Sequence, residues 1–172
     1  MAVLPIRTFG DPVLRRRAAE VGAPDEALRK LMRDMRDTVI AAPGVGLAAP
    51  QIGVPRRVFV WTYEGSEGAL ANPAIVEQHG KTEADEACLS LPGLSYPVSR
   101  AEWVKVIGMN ERGDRVELQM DDWLARIFQH EIDHLDGVLF IDRIHPDLKR
   151  EARRRLREQA LSGVLPQPVS AL

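Results

Sequence analysis

Gln129-His130-Glu131-Ile132-Asp133-His134 is the stretch around which the rest of the chain is read. Trp123, Leu124, Ile127 and Phe128 precede it, and Leu135, Val138, Leu139 and Phe140 follow. With such flanks it reads as the middle of one largely buried helix. Residues four apart on a helix sit one turn above each other, with about 5–6 Å between Cβ atoms. His130 and His134 therefore present two imidazoles to one ion, and Glu131, one step round, reaches the same space. This H-E-x-x-H spacing supplies two metal ligands and a carboxylate placed to handle a proton of water. The plainer reading, two polar residues on a solvated face, conflicts with the flanks, because buried histidines and carboxylates need partners. A metal supplies them.

A catalytic ion held by three side chains needs a third donor, and Cys88 is the single thiol in the chain. Two other readings stand beside that one: a small buried hydrophobe, or a covalent nucleophile with a histidine base. The segment Glu86-Ala87-Cys88-Leu89-Ser90-Leu91-Pro92-Gly93 carries it. Upstream, Gly44-Val45-Gly46-Leu47-Ala48-Ala49-Pro50-Gln51 forms a loop of small residues whose backbone can be approached closely. It lacks the Lys-Ser/Thr ending of a phosphate-binding loop. On these residues alone it suits equally a structural loop or an edge against which an extended ligand pairs, with the Gln51 amide as an oxyanion donor.

Working outward, residues 3–24 read as a strand, a turn at Gly10-Asp11-Pro12, and an irregular basic segment through Arg15-Arg16-Arg17. Residues 25–42 show helical periodicity in Leu28, Leu31, Met32, Met35 and Val39, with Asp25 as cap. Strands are expected at 58–62, 70–77, 103–109 and 116–120. Asn72-Pro73 marks a break, residues 64–68 form a surface turn, and 110–114 close a hairpin. Residues 78–86 are polar, and His79 reads as an exposed turn histidine. Asp121-Asp122 supplies cap chemistry before the central helix, and Gly137 lies just past its end. Beyond Pro146 a second long helix carries Lys149, Arg150, Arg153, Arg154, Arg155 and Arg157, with Leu148, Leu156 and Leu161 as its apolar side. Residues 163–172 read as a frayed tail.

The length of 172 residues, 45% hydrophobic and 28% charged, is that of one ordinary soluble globular domain spanning 1–172. A net charge of −2 gives no global reason to expect nucleic acid or an anionic membrane as partner. No apolar run approaches the ~18–20 residues of a membrane span. The N-terminus lacks the layout of a secretory signal, and one cysteine excludes an internal disulfide. A cytoplasmic location is the expectation.

The three motifs around Gly44–Gln51, Glu86–Ser90 and Gln129–His134, in that order and spacing, resemble those of the peptide deformylases, and the likeness runs from about Leu4 to about Leu156. The resemblance implies an α+β fold, with antiparallel strands packed around a central metal-bearing helix between an N-terminal and a C-terminal helix. It implies removal of the formyl group from N-formylmethionyl nascent peptides, with Fe(II) that Zn, Ni or Co can replace. Cys88, His130 and His134 would hold the ion and Glu131 would act as general base, then acid. Gln51 and the backbone N–H of Leu89 would hold the oxyanion. The peptide would lie between residues 44–46 (Gly44, Val45, Gly46) and 87–89, including Ala87. Val45, Trp123 and Ile127 would receive the methionine, and Glu86, Arg100 and Asp133 would orient the ligands. No membrane and no specific nucleic-acid sequence enter. A ribosome contact is the sharper reading of the basic C-terminal helix, a solvated face the plainer one.

Two positions depart from the family pattern, which has glycine at 87 and commonly at 122. A methyl group at Ala87 would matter if that residue needed an unusual backbone angle or a close approach by substrate. Asp122 reads as a benign cap change. Two rival functions follow. A general H-E-x-x-H metallopeptidase would take its third ligand from a downstream Glu or His. A non-catalytic deformylase-like binder of metal or nascent chains would have Ala87 as its motive.

Overall fold

The computed structural model describes residues 2–163. Five antiparallel strands form the main sheet in the order β1 (Gly46–Ala48), β2 (Val58–Tyr63), β3 (Ser66–His79), β6 (Trp103–Met109) and β7 (Arg115–Asp121). Strands β4 (Thr82–Ala87) and β5 (Ser95–Arg100) make a separate antiparallel hairpin. Helix α1 (Glu26–Ala41), α2 (Asp122–Leu135) and α3 (Pro146–Ser162) complete the α+β architecture, with α2 central. No helix among the described residues is long and apolar enough to cross a membrane.

Strand β2 shows why the sheet needs cover on both faces. Val58 and Val60 point to α1, where they meet Leu28, Met32, Met35 and Val39. Phe59 and Trp61, one residue out of phase, point to α2 and meet Ala125, Ile127 and Phe128. Phe128 stands edge-on to Phe59 at 5.0 Å between centroids and 4.8 Å from Trp61. A third cluster joins the β4–β5 hairpin (Tyr96, Val98) to Leu14, Phe140, Ile141 and, on α3, Ala152 and Leu156. Asp25 caps α1 by accepting the Leu28 N–H, and Gly137 follows α2 with φ +73°, as their sequence positions indicate. Asn72 sits at φ +49° where the β3–β6 register shifts, and its amide exchanges two hydrogen bonds with the Val21 backbone. This is the break marked by Asn72-Pro73.

Several expectations are corrected. No strand forms in residues 3–24, where a 3₁₀ turn (Pro12–Arg15) follows an extended segment. The amides of that segment are satisfied one at a time, Arg7 N–H by the Gln51 carbonyl and Phe9 N–H by the Ser90 carbonyl. The 43–51 loop contains β1 and a 3₁₀ turn (Ala49–Ile52). Residues 66–68 belong to β3, which runs to His79, and the polar stretch beyond it forms β4. His79 is exposed, stacked on Trp103 at 5.0 Å. Leu161 is 89% exposed, so the buried side of α3 is Ala152 and Leu156, with Leu148 packed against them. The tail expected at 163–172 lies, beyond Gly163, outside the described residues.

The two glycine departures differ in their backbones. Ala87 ends β4 in register with Ser95 and is not among the non-glycine residues at positive φ, so nothing in its backbone asks for glycine. Asp122 does adopt φ +47°, a left-handed conformation that costs L residues about 1–2 kcal/mol and glycine nothing. The N-cap residue is Asp121, and its side chain makes no capping bond.

Candidate metal centre

The donors of the site come from two parts of the fold, the sulfur from the segment after β4 and both imidazoles from α2. Cys88 follows β4, and Leu91 N–H turns back to its carbonyl, so the chain reverses immediately after the sulfur. His130 and His134 lie on one face of α2 with ring centroids 5.0 Å apart. The ligand atoms of Cys88, His130 and His134 all fall within 4.8 Å of one another, and all three residues are buried. Cys88 Sγ is 3.2 Å from His134 Nε2. Donors bound to one tetrahedral first-row ion, with bonds of about 2.0–2.3 Å, stand roughly 3.5 Å apart. Thiolate and imidazole together suit Fe, Co, Ni or Zn better than a hard cation. The residues fit a metal.

The surroundings of the donors are polar and specific. His130 Nδ1 bonds Glu86 Oε2 at 2.9 Å, which leaves Nε2 as the ligand atom. Glu86, with no exposed surface, receives two further bonds of 2.8 Å from Arg100 in a fork, and Arg100 also reaches Asp133. Asp133 in turn accepts from Arg143 at the surface. Burial alone would raise the Glu86 pKa, but the bonds from Arg100 and His130 outweigh it and hold this carboxyl well below the usual range. Burial holds the pKa of His134 well below the usual imidazole value, toward the neutral form a ligand must take. The Gln51 Oε1 accepts the Ala48 N–H at 2.8 Å, and this fixes its Nε2 toward Cys88 Sγ (3.6 Å) and Ser90 Oγ (3.3 Å).

Glu131 is buried, and its Oε2 has no hydrogen-bond partner among the described residues. Burial pushes its pKa up to about 7. A carboxyl that exchanges a proton near neutrality, left without a structural partner, is equipped for acid–base work. Its neighbour is Gly46 of β1: a Cβ there would stand 2.3 Å from Glu131 Oε1. Gly46→Ala is therefore expected to retain metal but lose about 10²-fold in turnover, because a displacement near 1 Å at a reacting group costs that much. Metal content measured beside initial rates checks it, and a rate within threefold of the parent would overturn it.

A family model described as polypeptide deformylase matches residues 3–150. The chain belongs to that family. The peptide deformylase of Acidothermus cellulolyticus is 53% identical over 163 residues, which cover 95% of this chain and 91% of that protein. The crystal structure of a peptide deformylase from Legionella pneumophila superposes with a TM-score of 0.89 at 41% identity, covering 96% of this chain and all of that one. The deformylase structure from Thermus thermophilus gives 0.87 at 44% identity, covering 93% and 96%.

Within this deformylase fold, the three donors inferred for the ion meet, and the third is the upstream Cys88. This removes the motive for a metallopeptidase with a downstream Glu or His ligand. Gly44 closes tightly: a Cβ there would meet Leu89 Cδ1 at 2.9 Å and Val39 Cγ2 at 3.0 Å. Val45 and Trp123 are half-buried members of the apolar cluster that holds the buried Ile127. One residue escaped the sequence reading. Arg126 on α2 is 1% exposed and donates to Glu86. Its signal was present, since a cation inside Leu124-Ala125-Arg126-Ile127-Phe128 has apolar residues on every side and must be buried with a partner.

Proposed function

We propose that this chain cleaves the formyl group from the N-terminal formylmethionine of new polypeptides, releasing formate and a free amine. The observation that carries the reading is the meeting of Cys88, His130 and His134 within 4.8 Å beside an unpartnered, buried Glu131. When bound there, a divalent ion supplies Lewis acidity for the formyl carbonyl and makes water acidic enough to attack near neutral pH. Glu131 accepts the proton of the attacking water and delivers it to the departing nitrogen as the C–N bond breaks. The Gln51 amide, held by Ala48, and the Leu89 backbone N–H are the donors proposed for the developing oxyanion. Among the described residues strand β1 pairs with β2 alone, and with the Ala48 N–H taken by Gln51 its outer edge at Gly46 is proposed to pair with the backbone of an extended peptide whatever its sequence. Val45, Trp123 and Ile127 are proposed to receive the methionine side chain. Formate release from formyl-Met peptides, compared with acetylated and unblocked ones, tests the reading. Cleavage of internal bonds without formate would overturn it.

Fe(II) is the proposed resident ion, with Zn, Ni or Co as substitutes, supported by the mixed sulfur–nitrogen donor set. The iron form is expected to lose activity in air faster than the nickel form, because a ferrous thiolate site oxidises readily. Equal decay of the two counts against iron. For the partner, Arg153, Arg154 and Arg157 stand exposed on α3, and a ribosome contact through them is proposed. Removing the helix would strip Ala152 and Leu156 from a buried cluster, so reversing those three charges to Glu is the cleaner test. Co-sedimentation with ribosomes at low salt is expected to fall at least tenfold, and unchanged binding would end the proposal.

A further inference from the structure

The sulfur and the imidazoles come from parts of the molecule that share no strand ladder. Cys88 extends the β4–β5 hairpin, which stands apart from the main sheet, whereas His130 and His134 ride on α2. Side chains crossing between hairpin and helix therefore set the distance between donors. Arg126 makes the broadest of these crossings. Its Nη1 donates to Glu86 Oε1 and to the Val98 carbonyl, both at 2.8 Å, and its Nη2 donates to the Thr82 carbonyl at 3.2 Å. Thr82 and Glu86 lie near the two ends of β4, and Val98 lies opposite on β5. Arg126 is one turn before His130, whose Nδ1 bonds the other Glu86 oxygen. Its guanidinium also lies 5.6 Å from the Trp123 ring, which limits its rotation.

We propose that Arg126 is a positioning residue of the metal centre: it clamps the cysteine-bearing hairpin to the histidine-bearing helix and, through Glu86, fixes the orientation of His130. This rests on the reading that Cys88, His130 and His134 hold the ion. Arg100, on β5, is a second and narrower crossing: it binds Glu86 within the hairpin and reaches α2 through Asp133, so it does not replace the bonds of Arg126 to Thr82 and Val98. Lysine cannot substitute fully either, because one ammonium does not span three acceptors set around a planar fork.

Cobalt(II) alone is the probe. Full-length protein is stripped of metal and titrated with Co(II), and affinity is followed together with the sulfur-to-cobalt charge-transfer band. Arg126→Met is expected to weaken Co(II) binding about 10–100-fold, the usual effect of losing a group that orients a ligand, and to diminish the band. Arg126→Lys is expected to fall between parent and Met variant, with the band partly restored. Folded variants that bind Co(II) within twofold of the parent with an unchanged band overturn the proposal. So does failure of both variants to fold even with metal, since a purely structural role then accounts for the burial. A parent protein without the sulfur-to-cobalt band refutes the ligand assignment instead, and one with the band but no formate release refutes only the activity.

Discussion

Glu131→Gln is expected to reduce formate release by about 10²–10⁴-fold and to leave the metal in place. Glutamine keeps the volume and the carbonyl of glutamate but cannot accept and return a proton. The three donors gathered for the ion do not include Glu131, so metal content is expected to match the parent. The same substitution is expected to stabilise the metal-free protein. Glu131 Oε2 is buried without a partner, and burial raises this carboxyl from 4.5 to about 7. The folded state therefore binds more protons than the unfolded one across that interval, and the parent loses stability as pH rises from 4.5 through 7. Glutamine removes that slope, and the gain, at most ~3 kcal/mol, appears at and above neutrality. Activity sacrificed for stability at one residue is the mark of a reacting group rather than a structural one. Urea unfolding of both metal-free proteins near pH 5 and pH 8, with rates and metal content on the loaded forms, checks both halves. A variant retaining more than a tenth of the parent rate would refute the proton-transfer role.

How much of this was legible beforehand depended on whether a residue's neighbours in space were also its neighbours in sequence. The central helix announced itself, because i, i+4 histidines and apolar flanks are local patterns. So did α1, β2, β6 and β7. The β4–β5 hairpin did not. Residues Thr82, Glu83, Ala84 and Asp85 alternate between half-buried and exposed and offer no apolar face, while β5 contains Pro97. The hairpin's ties to α2 are ion pairs, and ion pairs between distant segments leave no periodicity, while its apolar packing rests on Tyr96 and Val98, on either side of that proline. The strand expected near residue 5 failed for a related reason: Arg7 and Phe9 spend their amides on two different loops, Gln51 and Ser90, so no ladder forms. The contrast in backbone angle between positions 87 and 122 shows the remaining gap. A glycine preference reports either a backbone angle or a close approach, and only the φ of +47° at Asp122 separates the two.

Removing the carboxylate on which this charge network converges gives the largest expected loss of stability. Glu86→Ala leaves Arg100 and Arg126, 5% and 1% exposed, facing each other across an emptied space, with Arg100 reduced to its bond with Asp133. Breaking a buried ion pair from one side costs about 3–5 kcal/mol, because the surviving charge keeps its desolvation penalty. Two charges survive here, and a domain has only about 5–15 kcal/mol in total. His130 loses its Nδ1 partner at the same time, so metal affinity is expected to fall about 10–100-fold. The pH dependence separates this electrostatic loss from a packing defect. The parent's pKa at Glu86 lies below its ordinary 4.5, so the stability it contributes is complete above that value and drains away as pH falls through the lower folded value. The alanine variant has nothing to lose there. The stability gap between the two metal-free proteins is therefore expected to be widest near neutrality and to narrow steadily from about pH 4 downward. A cavity cost would be the same at both ends of the scale. Urea unfolding near neutral pH and near pH 3 tells the two apart, and a gap that stays constant would mean that the fork of Arg100 and Arg126 is not held by the charge on Glu86.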